Sequence, residues 1–376
     1  MSSFSCPLVE VTIHPHENAD NLEIAQIFGY CCIVRRGQYR TGDRAVYIPE
    51  ASIVPRALLE EMGLLDKLHG AEKNRVKAVK LRGVLSQGLL YAAPKGIVSI
   101  PGGASRSFDL GENAADFLGI KKYEPEIPTG MAGELTNLGA NILPRYDIEN
   151  IKNYPTLFEE GEPVCVTEKI HGTFCGVGLM PFEHKDLIHG RVAVFGKTPG
   201  ASGLAFKDNE ANKNNLYLKM VKKYGIDKIL LDNFAHSDEP VFIMGEIFGA
   251  KVQDLHYGFR RPVFRAFDFA VGFSNKIRYT PVALSFSPVL ASIPRVPKLY
   301  SGPFIMEKIL ELTSGPETVS SQDAEDKEGD IVVAQNIREG VVIRPQTERF
   351  SPKIGRVILK SVSEQYLLRR NGTEFN

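Results

Sequence analysis

Apolar residues along the first part of this chain fall in short alternating or β-branched runs, each closed by glycine or turn residues. Residues 8–13 alternate and predict a strand. The string His14-Pro15-His16-Glu17-Asn18-Ala19-Asp20-Asn21-Leu22 that follows has turn chemistry throughout. Further strands are predicted over 22–28, 30–34 and 44–48, separated by Gly29, Gly37 and Gly42. Residues 76–81 alternate apolar with basic positions, and Arg82-Gly83-Val84-Leu85-Ser86-Gln87-Gly88-Leu89-Leu90 ends the set. Closely spaced strands with glycine between them predict a small β-barrel.

The texture changes over 94–144, where proline and glycine are dense enough to read as linker rather than core, with one short helix-compatible stretch at 114–118. Arg145-Tyr146-Asp147-Ile148-Glu149-Asn150 reads either as the entry segment of the domain that follows or as a helix start capped by Asp147. Beyond it, strands dominate with helices inserted. Pro163-Val164-Cys165-Val166 opens a strand that leads to Thr167-Glu168-Lys169-Ile170-His171-Gly172-Thr173. Lys169 then sits where a strand ends, and Gly172 is expected to supply the permissive dihedrals of the turn. Residues 191–195 predict a strand running into Gly196-Lys197-Thr198-Pro199-Gly200, and 209–224 has helical spacing through Leu216, Met220 and Val221. Residues 320–330 are polar and read as a surface loop.

Composition narrows the class without fixing it. At 376 residues and 43% hydrophobic, the chain can build two ordinary domains with real cores. Lys+Arg and Asp+Glu are 45 each, so net charge makes no case for a polyanion partner, and only local clusters such as Lys73 to Arg82 permit one. Five cysteines with no Cys-x-x-Cys pair argue against a structural metal site, and with no secretory segment they point to a reducing, cytoplasmic setting. The longest apolar runs are too short to span a bilayer, so no membrane role is expected.

Four further stretches carry candidate chemistry in a fixed order after Lys169. Glu246 lies in Phe242-Ile243-Met244-Gly245-Glu246-Ile247-Phe248-Gly249, and Phe267-Asp268 lies in Phe264-Arg265-Ala266-Phe267-Asp268-Phe269. Glu339 opens Glu339-Gly340-Val341-Val342-Ile343-Arg344, and Lys360 ends Arg356-Val357-Ile358-Leu359-Lys360. A carboxylate inside an apolar strand is costly unless a metal or a donor compensates it. A lysine at a strand end can attack phosphorus only when its amine is unprotonated, which calls for burial and nearby cations.

This series, over residues 143–368, resembles the covalent nucleotidyltransferases, the superfamily of polynucleotide ligases and capping enzymes. Histidine at the third position of the first motif resembles the RNA ligases. Residues 8–90, with His-Pro, Asn-Ala-Asp and Arg-Gly-Val signatures, resemble an oligonucleotide-binding barrel of tRNA-binding modules. Together they resemble the RNA ligases that carry this barrel in front (Deinococcus-type). The fold this implies is α+β: an amino-terminal OB-fold barrel over 1–120, a linker over 121–142, and an antiparallel-rich nucleotidyltransferase domain over 143–376.

The resemblance also implies roles. Lys169 is the nucleophile that takes AMP from ATP, and Lys360 holds the α phosphate. Glu246 and Glu339 hold Mg²⁺ (or Mn²⁺), which is commonly fixed by one or two carboxylates plus phosphate oxygens. Phe267 stacks on the adenine, Glu168 meets the base edge, and His171, with Gly172 beside it, meets the ribose or leaving phosphate. Lys197 or Arg191 binds the 5′ phosphate, and Lys353 or Arg356 stands in for a second lysine of the last motif, where Ile358 and Val362 flank Lys360. The expected substrate is RNA or an RNA-containing nicked duplex. Two other readings stay open: a DNA ligase or capping guanylyltransferase, and an RNA- or tRNA-binding protein with a degenerate transferase domain.

Overall fold

The computed structural model describes residues 4–124, 127–281, 283, 287–320, 336–369 and 372. It divides into two compact units, one of residues 1–124 with 151–156 and one of 125–150 with 157–376.

In the first unit, Arg44–Ile48 lies between Leu8–Glu10 and Leu89–Ala92, all antiparallel. Thr12–Pro15, Leu22–Ile27 and Tyr30–Arg35 form an antiparallel meander. The period of two is decisive in Arg44–Ile48, because both of its faces are buried. Ala45 and Tyr47 pack with Val9, Val11, Ile27 and Leu90, while Val46 and Ile48 pack with Leu58, Leu59 and Tyr91. The alternating stretch 76–81 forms a strand only over Val79–Leu81, paired in a hairpin with Val84–Ser86. Part of the stretch read as linker from residue 94 is core instead. Val98, Phe108, Ala115, Leu118 and Ile120 are buried in one cluster with Val46 and Leu58, since the Pro and Gly residues turn the chain between apolar anchors.

The second unit is built on two five-stranded sheets. One has the order Glu149–Asn150, Leu359–Val362, Gly340–Pro345, Pro163–Lys169, Lys298–Pro303. The other has the order Val192–Phe195, Thr173–Leu179, Val241–Phe248, Val263–Val271, Arg278–Pro281. Every pairing is antiparallel except that of Glu149–Asn150 with Leu359–Val362. Phe174, Phe195, Phe242 and Met244 from the second sheet share a cluster with Val342 from the first and with Ile358, just before the strand Leu359–Val362, so an apolar layer joins the sheets. On its other face, the strand Thr173–Leu179 turns Cys175, Val177 and Leu179 toward the helices Leu216–Tyr224 and Ile226–Phe234.

Helix expectations needed two corrections. The spacing over 209–224 is broken, and the helix proper begins at Leu216, where the Asn215 side chain accepts from the N–H of Tyr217 at 3.0 Å and of Leu218 at 3.2 Å. Asp147 caps no helix; residues 145–148 are irregular and lead into Glu149–Asn150. The polar stretch 320–330 lies, apart from Ser320, outside the described residues.

Asp268 ties the two sheets together. Its strand, Val263–Val271, belongs to the second sheet, yet its carboxylate receives Arg344 Nη1 from the first sheet at 2.8 Å. Arg356 adds bonds at 2.8 Å and 3.1 Å, and the Tyr146 hydroxyl donates as well. Burial opposes the charge, but Arg344 and Arg356 outweigh it and hold the carboxyl below the usual range. Removing this carboxylate would strand the Arg344 guanidinium in the interior and leave Arg356 with Glu348 alone. Asp268→Ala is therefore expected to cost about 3–5 kcal/mol of stability, measured by denaturant unfolding, with Asp268→Asn costing less.

Candidate active site

Lys169 is the last residue of its strand, opposite Gly340 in the first sheet, and by Thr173 the chain has crossed into the second. Its Nζ donates to Glu339 Oε1 at 2.7 Å. Glu339 is buried, and among the described residues its Oε2 has no hydrogen-bond partner. Gly340 lets the neighbouring strand approach, since a Cβ there would lie 2.0 Å from the Ser361 carbonyl oxygen.

Gly172 is required for a different reason from the one its sequence context suggested. It is not among the residues with positive φ. Space is the constraint: a Cβ would sit 2.2 Å from the Ile247 carbonyl oxygen and 2.9 Å from Glu246 Cγ. The turn thus lies directly against the strand that carries Glu246.

Glu246 interrupts an otherwise buried strand, Val241–Phe248, and is itself only partly exposed. Burial pushes its carboxyl up to about 8; Lys169 opposes the shift and Glu339 adds to it. Lys360, opposite Val342, is pushed down to about 8 by burial, with Lys169 and Lys197 adding to the shift. Lys197 opens the helix Lys197–Ala201 and lies 3.4 Å from Asp147 Oδ1. Three amines and two carboxylates therefore share one electrostatic neighbourhood, drawn from both sheets and the helix after Val192–Phe195. Such a cluster can take an anionic ligand on its amines and a cation on its carboxylates.

Of the two basic residues considered for the 5′ phosphate, only Lys197 is in this cluster. Arg191 is bound to backbone instead: Nε to the Met180 oxygen and Nη1 to the Ala235 oxygen, each at 2.9 Å. Arg356 is engaged by Asp268 and Glu348, and Lys353 is exposed between Phe350–Ser351 and Gly355–Arg356. Phe267 is half-buried, its ring centroid 5.0 Å from that of Tyr146 and 6.1 Å from that of Phe174. Glu168 is buried. Its Oε2 accepts from the Thr318 N–H at 2.9 Å, and Oε1 has no partner among the described residues. Burial raises its carboxyl above the usual range despite Thr318 and Arg338.

His171 is buried with both ring nitrogens already engaged, Nε2 2.9 Å from Asp254 Oδ1 and Nδ1 2.9 Å from the Tyr366 hydroxyl. Burial opposes ionisation of Asp254, but His171 and Arg369 outweigh it and hold the carboxyl well below the usual range. Asp254, Tyr257, Tyr366 and Arg369 were not anticipated as site residues. Asp254 and Tyr257 lie in Gln253-Asp254-Leu255-His256-Tyr257-Gly258, a stretch that resembles the family's segment between its two central motifs but assigns neither residue a role, whereas Tyr366 and Arg369 follow the last motif and only long-range packing marks them.

Among the described residues, no group of three or more His, Cys, Asp or Glu could hold a metal alone. The unpartnered Glu339 Oε2 and the strained Glu246 carboxyl nevertheless fit a divalent cation that takes its remaining ligands from phosphate and water.

An amino-terminal barrel followed by two joined antiparallel sheets, with a lysine at their crossing, is the architecture of an OB-fold domain with a nucleotidyltransferase-type domain. The sequence profile of the RNA ligase family matches residues 162–362, just over half of the chain, and an OB-fold domain profile matches residues 9–93. The chain belongs to the RNA ligase family. Among solved structures, it is similar to Naegleria gruberi RNA ligase with PPi, at 21% identity and TM-score 0.73, covering 97% of this chain and 98% of that one. It is also similar to a mutant of that ligase with ATP and Mn, at 20% identity and TM-score 0.72, with 97% and 98% coverage. A further mutant with AMP and Mn gives 21% identity and TM-score 0.71, covering 96% of this chain and 97% of that one. No curated protein matches the sequence. No helix among the described residues is long and apolar enough to cross a membrane.

Two outcomes follow from this geometry. The folded pKa of Glu246, about 8, lies above the unfolded value, so the folded state binds more protons between about pH 4.5 and 8 and loses stability as pH rises through that window. Without added metal, Glu246→Gln should gain stability over the parent progressively across the window, by on the order of a few kcal/mol at its upper end, read as melting temperature against pH. Gly172→Ala should displace the turn and slow any chemistry at Lys169 by roughly tenfold or more, while a melting curve shows the chain still folds.

Proposed function

We propose that this RNA ligase seals 3′-hydroxyl and 5′-phosphate ends with ATP through a lysyl-AMP intermediate on Lys169. The observation that carries the reading is the position of the Lys169 amine: 2.7 Å from Glu339, within electrostatic reach of Glu246, Lys197 and Lys360, where the chain crosses between sheets. The PPi, ATP and AMP complexes of the Naegleria ligases support it, since these are the reactants and products such a step requires.

The Nζ–H ammonium first loses a proton. Its lone pair attacks the α phosphorus, a nitrogen–phosphorus bond forms, and the bond from that phosphorus to the oxygen bridging the α and β phosphates breaks as pyrophosphate leaves. A 5′-phosphate oxygen of the RNA then attacks the same phosphorus, and Nζ leaves and is reprotonated. Finally the 3′ hydroxyl attacks the adenylylated 5′ phosphorus, loses its proton, and displaces AMP. Lys360, its amine pushed down to about 8 by burial, gains from holding the α phosphate, and its positive charge offsets what develops there in each displacement. Lys197 suits the incoming 5′ phosphate. Phe267 presents an aromatic face for the adenine, and Glu168, with an unpartnered Oε1, lies one residue before the nucleophile. Glu246 and Glu339 would hold Mg²⁺ or Mn²⁺, which supplies charge neutralisation at the phosphates.

We assign the substrate as nicked duplex with ribonucleotides on the 3′-hydroxyl side, and a reducing, cytoplasmic setting suits the five free thiols. The barrel of the first unit, 1–120 in our domain scheme with 121–142 as linker, would grip the duplex.

Incubation with ATP labelled at the α phosphate plus Mg²⁺ or Mn²⁺ should leave label on the denatured chain, and Lys169→Ala should abolish it. Label taken from GTP alone would point to capping chemistry instead. Sealing of nicks with a ribose at the 3′-hydroxyl end should exceed that of all-deoxyribose nicks; equal rates would remove the RNA-side preference.

A further inference from the structure

The turn that carries Lys169 out of its strand is held from outside at several points. The His171 N–H donates to the Tyr257 hydroxyl at 2.7 Å, and the Gly172 carbonyl accepts from Gln253 Nε2 at 2.7 Å. The imidazole is gripped between Asp254 and Tyr366, as described above. Arg369 completes the arrangement. It bonds Asp254 Oδ2 through Nε at 2.7 Å and Oδ1 through Nη2 at 3.2 Å, and its guanidinium lies 3.6 Å over the Tyr366 ring. A forked guanidinium–carboxylate pair fixes both planes, so the orientation of Asp254 is set by the carboxy-terminal segment. The same segment reaches the other half of the site, because the Ser363 N–H donates to the Glu339 carbonyl at 2.8 Å.

An imidazole has two ring nitrogens, and here each is spent inside the protein, which leaves neither for a phosphate or ribose. We propose that Asp254, Tyr366 and Arg369 are positioning residues that lock the His171 ring, so that the segment from Ser363 to Arg369 holds the Lys169 turn in its reactive place without touching the nucleotide. This rests on Lys169 being the nucleophile. It deepens that reading by assigning the third residue of the first motif to alignment rather than to ligand contact. A nucleophile misplaced by about 1 Å can lose on the order of a hundredfold in rate, so a lock of this kind has a kinetic consequence even when the fold is intact.

The test uses the full chain and the variants Tyr366→Phe, Arg369→Ala and Arg369→Lys. Amide exchange over residues 169–173 should speed up by about tenfold or more in Tyr366→Phe, while the strand 241–248 exchanges as in the parent. In single turnovers, the maximal rate of lysyl-AMP formation should fall by about tenfold, with the half-saturating ATP concentration changed by less than about twofold. In a His171→Ala background, Tyr366→Phe should add little further loss, and Arg369→Lys should retain more rate than Arg369→Ala. Unchanged exchange in the turn, additive losses in the double variant, or a raised half-saturating ATP concentration at unchanged maximal rate would each overturn the proposal. The exchange readout needs no activity, so it decides the lock even if the parent takes no label, an outcome that would sink the ligation reading alone.

Discussion

Charges that cannot all be satisfied at once are buried where the two sheets meet, and the rest of the second unit is arranged around that cost. Lys169 and Glu339 neutralise each other at 2.7 Å, but Glu246 and Lys360 are left over, one raised toward neutrality and the other lowered toward it, both to about 8. Each retains an energetic reason to accept a counter-charge: a cation for the carboxyl, an anion for the amine. A nucleotide with its divalent cation supplies both in one ligand. Binding of such a ligand would therefore relieve the cost of these buried groups, and the apolar layer of Phe174, Phe242, Met244 and Val342 keeps the arrangement from collapsing.

Asp268 shows why burial alone does not identify function. It is as buried as any acid in the chain, yet it receives donors from Arg344, Arg356 and Tyr146 and sits well within the charged range. Nothing about it asks for a ligand. Among the described residues Glu246 has no guanidinium or hydroxyl donor of this kind, and the Lys169 and Lys197 charges and the Gly172 N–H do not outweigh its burial. That contrast between an acid held charged and one pushed up toward neutrality separates the tie between sheets from the candidate ligand site. Both lie on neighbouring strands of one sheet, so the tie also fixes the strand next to Glu246.

Much of this was legible from the chain because strands write their burial in a period of two, and a lone Glu in Val241–Phe248 or beside Gly340 breaks that pattern visibly. The same local reading failed where the cause was not local. Gly172 was taken for a dihedral requirement, whereas the constraint is the Ile247 carbonyl seventy-five positions away in sequence (247 − 172 = 75). Arg191 and Lys197 are both cationic and follow the nucleophile by 22 and 28 positions (191 − 169 and 197 − 169), and only the packing shows that Arg191 is occupied by the Met180 and Ala235 carbonyls. Val98 to Ile120 was read by its glycine and proline content, although the few apolar residues among them are what the first unit buries.

The partners of Lys169 are also remote along the chain, and this bears on how the site is assembled. Glu339 is separated from it by 170 positions, and Tyr366 from His171 by 195. Contacts at such separation carry a large loop-closure cost before they yield any stabilisation, so they form after the local hairpins and helices rather than before them. The sheet holding Lys169 has Gly340–Pro345 and Leu359–Val362 as inner strands, so it is incomplete until the last part of the chain has been inserted. Reactive geometry at Lys169 and the closing of that sheet are therefore a single event. A chain lacking its final strand and the segment after it would lack more than one cationic side chain: it would lose the neighbour that pairs with Gly340–Pro345 on the edge away from Lys169, and the Tyr366 hydroxyl that holds His171.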